Sequence, residues 1–161
     1  MTLRGATVDD LDAVMGIETR SFPTDAWSRE AMASELSSPH GRYLVDDEGG
    51  VVVGYGGVRA LRGSPDADIQ TIAFDAEHRG SGRGRRLLRA LLDAAGERGA
   101  REVFLEVRAD NPSAQGLYLS EGFVEIGRRP RYYQPDDVDA IVMRLTLPAA
   151  PRVEAAEEAS A

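Results

Sequence analysis

The chain has 161 residues, the length of one domain, and no cysteine, which excludes disulfides, thiolate metal sites and cysteine nucleophiles. Its formal charge is −8, from 19 basic and 27 acidic residues, and this acidity argues against a general nucleic-acid binder. All the basic residues are arginine, so no mechanism that needs a catalytic lysine is available.

The N-terminal MTLRGATVDD carries no apolar leader, and no apolar run reaches the ~20 residues of a membrane span. A cytoplasmic protein that contacts no membrane is the expectation. TLRGA reads as a first strand. VDDLDAVMGIETRSF places Leu11, Val14, Met15 and Ile17 at helical spacing, with Thr7 as a cap. SREAMASEL is a second helix capped by Ser28. RYLVDDEGGVVVGYGGVRAL is a hairpin turning between Asp47 and Gly50. DIQTIAFDA is a further strand.

A long helix follows from about Gly82 to Arg98, with Leu87, Leu88, Leu91, Leu92 and Ala95 on one face. REVFLEVRA is a strand with Val103, Leu105 and Val107 on one side and Glu106 on the other. NPSAQGLYLSEG is a helix with Asn111 at its cap, Pro112 in its first turn and Gly122 as its stop. FVEIGR and DAIVMRLTL close the order β-α-α-β-β-β-α-β-α-β-β. This is an α+β fold with a mixed, largely antiparallel sheet flanked by helices, and one strand–helix–strand crossover around the long helix. Residues 1–147 form the expected domain. Residues 148–161, PAAPRVEAAEEASA, read as a disordered acidic tail.

The stretch HRGSGRG, His78 to Gly84, needs an explanation. A helix N-terminus carries partial positive charge and favours acidic residues, yet no acid lies between Gly80 and Leu92, and Arg79, Arg83, Arg85 and Arg86 crowd this end. Such a loop suits an anion held by backbone amides. A Walker A loop fails for want of lysine. A G-x-G-x-x-G loop fails because position 85 is arginine. A nucleophile elbow fails because Arg79 and Arg83 stand where its outer glycines belong. From the residues alone, two readings remain: an anion loop and a solvated arginine-rich turn.

The spacing Arg79-x-x-Gly82-x-Gly84 resembles the acyl-coenzyme A pyrophosphate loop of the GCN5-related N-acetyltransferase (GNAT) superfamily. LEVRADNPSAQGLYLSEGF, RRPRYY and DAIVMRL resemble its RimI-type branch, which acetylates the N-terminal alanine of a small-subunit ribosomal protein. FPTDAWSREAM carries a weaker likeness toward the N-terminus. His78 departs from the aromatic residue the family often has before the loop.

The resemblance implies acetyl-CoA as co-substrate, no metal, and a protein or peptide N-terminus as acceptor. It implies that Arg79, Gly80, Ser81, Gly82, Arg83, Gly84 and Arg85 hold the pyrophosphate, and that Ile72, Ala73 and Phe74 pair with the pantetheine arm. It further implies that Asn111 contacts that arm, that Glu106 is the general base and Tyr118 the general acid, and that Tyr132 and Tyr133, in the loop between the last two strands, border the acceptor. Each has a structural alternative: Asn111 as a helix cap, Glu106 as a solvated strand residue, Tyr118 as a core tyrosine.

The α-amine is the easier nucleophile, since its reference pKa of ~7.7–8.0 lies ~2.5 units below lysine's, or ~3.4 kcal/mol less work to reach the neutral form. Two other functions stay open: acetylation of a small-molecule amine, such as a metabolite or aminoglycoside, and a non-catalytic acyl-CoA-binding module.

Overall fold

The computed structural model describes residues 2–148. From Ala149 onward the stretch read as an acidic tail lies outside the described residues. Seven strands form one sheet: β1 (Thr2–Gly5), β2 (Gly41–Glu48), β3 (Val51–Arg59), β4 (Asp66–Phe74), β5 (Glu102–Arg108), β6 (Val124–Tyr133) and β7 (Val138–Thr146). The order across it is β1-β2-β3-β4-β5-β7-β6, antiparallel throughout except for the parallel pair β4–β5. Four helices complete the fold: α1 (Leu11–Ser21), α2 (Arg29–Ser37), α3 (Arg83–Glu97) and α4 (Pro112–Ser120). The element order is the one the sequence predicts.

Local chemistry accounts for the boundaries. Ser28 Oγ accepts the Ala31 amide at 3.1 Å and starts α2; Asn111 Oδ1 accepts the Ala114 amide at 3.1 Å and starts α4. Thr7 caps a short 3-10 turn ahead of α1, in a reciprocal box with Asp10. In the β2–β3 turn, Asp47 Oδ1 accepts the Gly50 amide at 2.8 Å.

The helices cover both faces of the sheet. Val14, Ile17 and Met32 from α1 and α2 pack on Tyr43, Val45, Tyr55 and Ala73. Leu87, Leu88, Leu91 and Ala95 of α3 pack on the opposite face with Val58, Val103, Leu105 and Val107. Each buried leucine there contributes roughly 1.5–3 kcal/mol of transfer free energy, which fixes the α3 axis and therefore its N-terminus. The predicted face of α3 is the buried one, with Leu92 only partly covered.

One reading is corrected. Tyr132 and Tyr133 do not lie in a loop, because β6 runs on to Tyr133, which pairs with Val138. β6 is an edge strand, exposed along nearly its whole length, so no apolar alternation marks it. The register shift between Arg129 and Tyr133 accommodates Pro130, a residue tolerated at edges and irregularities.

Candidate active site

The site begins where two parallel strands separate. β4 and β5 pair only at Asp66–Glu102, Ala67–Val103 and Asp68–Phe104. Beyond this, β4 keeps its pairing to β3 as far as Phe74, and β5 keeps its pairing to β7 as far as Arg108. The separation coincides with Gln70, the extra residue where Gly57 pairs with Thr71 but Val58 pairs with Ile69. A bulge of this kind bends and twists the strand that carries it. The facing backbone of Ile72 to Phe74 is left without a sheet neighbour and calls for another hydrogen-bonding partner.

An open cleft of about 530 Å³ runs along this freed backbone. Ile72, Ala73 and Phe74 line it on one side and Asn111, Ser113, Ala114, Leu117 and Tyr118 on the other. Arg79, Gly80, Gly82, Gly84 and Arg85 lie at its mouth. The structure thus gathers ten of the residues that the sequence singles out. Ser81 and Arg83 are not among the lining residues; the Ser81 hydroxyl turns to the His78 carbonyl at 3.2 Å.

The mouth presents backbone amides in an arrangement that suits an anion. Gly80 and Gly82 have φ of 75° and 83°, a region that side chains rarely tolerate. Gly82 is the N-cap of α3, supplies no side-chain hydrogen bond, and is followed by no acid in the first turn. The first amides of a 15-residue helix therefore point outward without a side-chain cap, at the positive end of its dipole. Gly84 adds room: a Cβ there would meet only Leu117, at 3.8 Å.

The arginines behave differently from the expectation of a cationic cluster. Arg83 points away from the cleft and binds Asp46 at 3.0 Å and Glu48 more closely still. Arg85 lines the cleft but shares Glu121 with Arg89 and donates to Ser120 Oγ at 2.8 Å. Arg79 donates through Nε to the Phe74 carbonyl at 2.9 Å, which ties the loop to the end of β4. Acids on β2 and just after α4 thus balance charge that looks unopposed in the local sequence. The Arg83 side chain braces the loop against β2.

Tyr118 faces the cleft from α4, with 8 % of its surface exposed, and packs edge-on against Phe123 at a ring-centre distance of 5.7 Å. Burial pushes its phenol up to about 12, so it remains a proton donor at any working pH. Asn111 both caps α4 and lines the cleft.

Glu106 does not line the cleft; it stands exposed on β5, opposite in parity to Leu105 and Val107, and pairs with Arg129 Nε at 2.7 Å. Tyr132 and Tyr133 lie on the same side, edge to face at 5.1 Å. Arg129 lies over the Tyr132 ring, and the Tyr133 phenol is pushed up by burial and then by the charge of Glu106. The predicted residues therefore form two groups, a cleft and an adjoining acidic and aromatic face. Gln115 ties α4 to the end of β5, since its Nε2 donates to the carbonyls of Arg108 and Ala109, both at 3.1 Å.

Sequence reasoning missed Gln115, Ser113, Ala114 and Leu117, although Ala114, Leu117 and Tyr118 share one helical face and were findable by spacing. Ser21 and Phe22, at the end of α1, carry no local signal. His78 also lines the cleft, and its Nδ1 is buried without a hydrogen-bond partner.

Comparison with known proteins places this geometry. Residues 11–123 match the model of the acetyltransferase (GNAT) family. The N-alpha-acetyltransferase RimI of Mycobacterium tuberculosis is 42% identical over 147 residues, covering 89% of this chain and 91% of the relative. The ribosomal protein bS18-alanine N-acetyltransferase of Escherichia coli is 33% identical over 150 residues, 91% of this chain and 97% of the relative. A crystal structure of the ribosomal-protein-S18-alanine N-acetyltransferase from Escherichia coli superposes with a TM-score of 0.81 at 30% identity, covering 94% of this chain and 97% of that one.

Proposed function

The chain belongs to the GNAT acetyltransferase family, and from that premise we propose that it transfers the acetyl group of acetyl-CoA to the N-terminal α-amine of a protein, a ribosomal protein beginning with alanine. The observation that carries this reading is the cleft itself: uncapped α3 amides at its mouth, unpaired β4 backbone along its side and a buried phenol facing it. The relatives' names supply the acceptor class. Residues 1–147 are the proposed catalytic domain.

The chain's groups divide the work. Amides from Gly80 to Arg85 hold the diphosphate, with Arg79 locking the loop and Arg85 at its rim. The backbone of Ile72, Ala73 and Phe74 pairs with the amide-bearing pantetheine arm, and one of its N–H groups faces the thioester oxygen. Asn111 lies beside the same arm.

The thioester supplies an acylating carbonyl. The acceptor nitrogen forms the new N–C bond, the C–S bond breaks, and Glu106 takes the amine proton directly or through one water. Tyr118 gives a proton to the departing thiolate. Its phenol is the weaker acid of the two, so the proton moves as the C–S bond breaks and the phenol takes a proton back from water afterwards.

The acceptor lies by Tyr132 and Tyr133, where Glu106 also stands. No helix among the described residues is long and apolar enough to cross a membrane. We assign the work to the cytoplasm, where ribosomal proteins are made, with no direct role for nucleic acid, a membrane or a metal.

The test is incubation with acetyl-CoA and a peptide bearing the N-terminal residues of ribosomal protein bS18, followed by tandem mass spectrometry. One acetyl group on the α-amine supports the reading. An unmodified peptide beside acetylated polyamines or aminoglycosides from the same assay overturns it.

A further inference from the structure

Arg108, the last residue of β5, ties three separate segments of the chain together. Its Nη1 donates to Asp25 Oδ2 at 3.1 Å, in the connection between α1 and α2. Its Nε and Nη2 donate to the two oxygens of Asp110 at 2.9 and 3.0 Å, just before α4. Nη2 also donates to Asp136 Oδ2 at 3.1 Å, in the turn between β6 and β7. The same Asp136 oxygen accepts the Thr24 hydroxyl at 2.7 Å, so the two outer segments are linked to each other as well. The guanidinium lies over the Tyr133 ring, 5.3 Å from its centre.

Arg108 shares strand parity with Glu106, two residues earlier, so both project from the same face of β5. It is held by three carboxylates and has little exposed side chain. Those carboxylates outnumber its single charge. Without the guanidinium they would repel one another, and the α1–α2 connection would lose its charged tie to the β6–β7 turn, leaving the Thr24–Asp136 hydrogen bond to hold the two against that repulsion. A planar fork of fixed donors serves four such bonds at once, which one ammonium group does not.

We propose that Arg108 is a positioning residue: it sets the distance between the α1–α2 connection and the β6–β7 turn, and with it the seat of Tyr133, and so shapes the acceptor side of the site. This rests on the reading of the Glu106–Tyr133 face as the acceptor side. Arg108 itself is not among the residues that line the cofactor cleft.

The experiment measures the KM of both substrates for Arg108→Gln, with Asp136→Asn as a milder variant that removes one tie and keeps the cation. The expected result for Arg108→Gln is an acceptor-peptide KM raised about tenfold, the worth of a charged hydrogen bond, with the KM for acetyl-CoA within about twofold. Arg108→Lys restores this only in part.

Trp27, the one tryptophan of the chain, lies two residues from Asp25 and gives a readout independent of turnover. Its fluorescence becomes more open to acrylamide quenching in Arg108→Gln and, to a smaller degree, in Asp136→Asn. Unchanged quenching, or a rise in both KM values together, overturns the proposal. A wild-type enzyme that leaves the peptide untouched contradicts the function instead, and the Trp27 measurement still decides the role of Arg108.

Discussion

Arg83 Nη1 lies 3.0 Å from Asp46 Oδ2, a carboxylate side chain with no exposed surface. The pair joins the first residue of α3 to the middle of β2, and Glu48 holds the other end of the same guanidinium. An arginine that the family resemblance assigns to a phosphate thus has its side chain engaged by the scaffold, and the proposed anion contact at the mouth rests on the backbone.

The first prediction follows from this pairing. Arg83→Gln leaves Asp46 buried opposite an uncharged group, so the melting temperature falls, while the dissociation constant for coenzyme A changes by less than about threefold. Thermal unfolding and calorimetry on the same sample check the two halves. A large loss of affinity with unchanged stability would return Arg83 to the ligand.

Gly84 separates ligand space from protein packing. Leucine is a better helix former than glycine by up to ~1 kcal/mol, and a Cβ at this position meets only Leu117. Gly84→Leu is expected to unfold no earlier than wild type and to bind coenzyme A at least about tenfold more weakly, the effect of blocking close backbone approach to the diphosphate. Equal affinity in the two proteins would show that the ligand does not pass this residue.

Glu106 is tested by a substitution that keeps its shape. Glu106→Gln retains a hydrogen-bond acceptor for Arg129 but no base, so kcat falls by ~10²–10⁴ while coenzyme A affinity is retained. Rapid-quench measurement of the first turnover locates the loss in the transfer step. Unchanged turnover removes Glu106 from the mechanism.

Tyr118 gives a pH signature. Its folded value, about 12, stands above the ~10 of a free phenol. The stability from the buried neutral ring is therefore complete below pH ~10 and is lost as pH rises toward 12. Tyr118→Phe lessens that alkaline slope in denaturant titrations by the share of one phenol, since burial also raises Tyr43, Tyr55 and Tyr133, and lowers kcat by about 10²-fold at neutral pH. A wild-type slope in the variant would mean that another group titrates there.

Much of this was legible in the sequence because it rests on local rules. The apolar face of α3, the Asn111–Pro112 start of α4, and the glycine spacing at 80, 82 and 84 each depend on neighbours within a few residues. What stayed hidden depends on partners far along the chain. Asp46 and Glu48 precede Arg83 by more than thirty residues, and Asp25 and Asp136 reach Arg108 from opposite ends of the chain. The bulge at Gln70, which coincides with the parting of β4 and β5, has no glycine or proline on β4 itself to announce it. The final half of β6, residues 129–133, reads as a loop because an edge strand exposed on both faces has no reason to alternate.

The central claim is that the backbone amides from Gly80 to Arg85 hold the diphosphate of coenzyme A. Isothermal titration of the wild-type protein with coenzyme A, and with pantetheine as a ligand lacking the diphosphate, tests it most directly. Saturable binding of coenzyme A is expected, with affinity for pantetheine lower by about 10²-fold or more, the worth of two charged hydrogen bonds. Equal affinity for the two ligands, or no heat with coenzyme A, would contradict it.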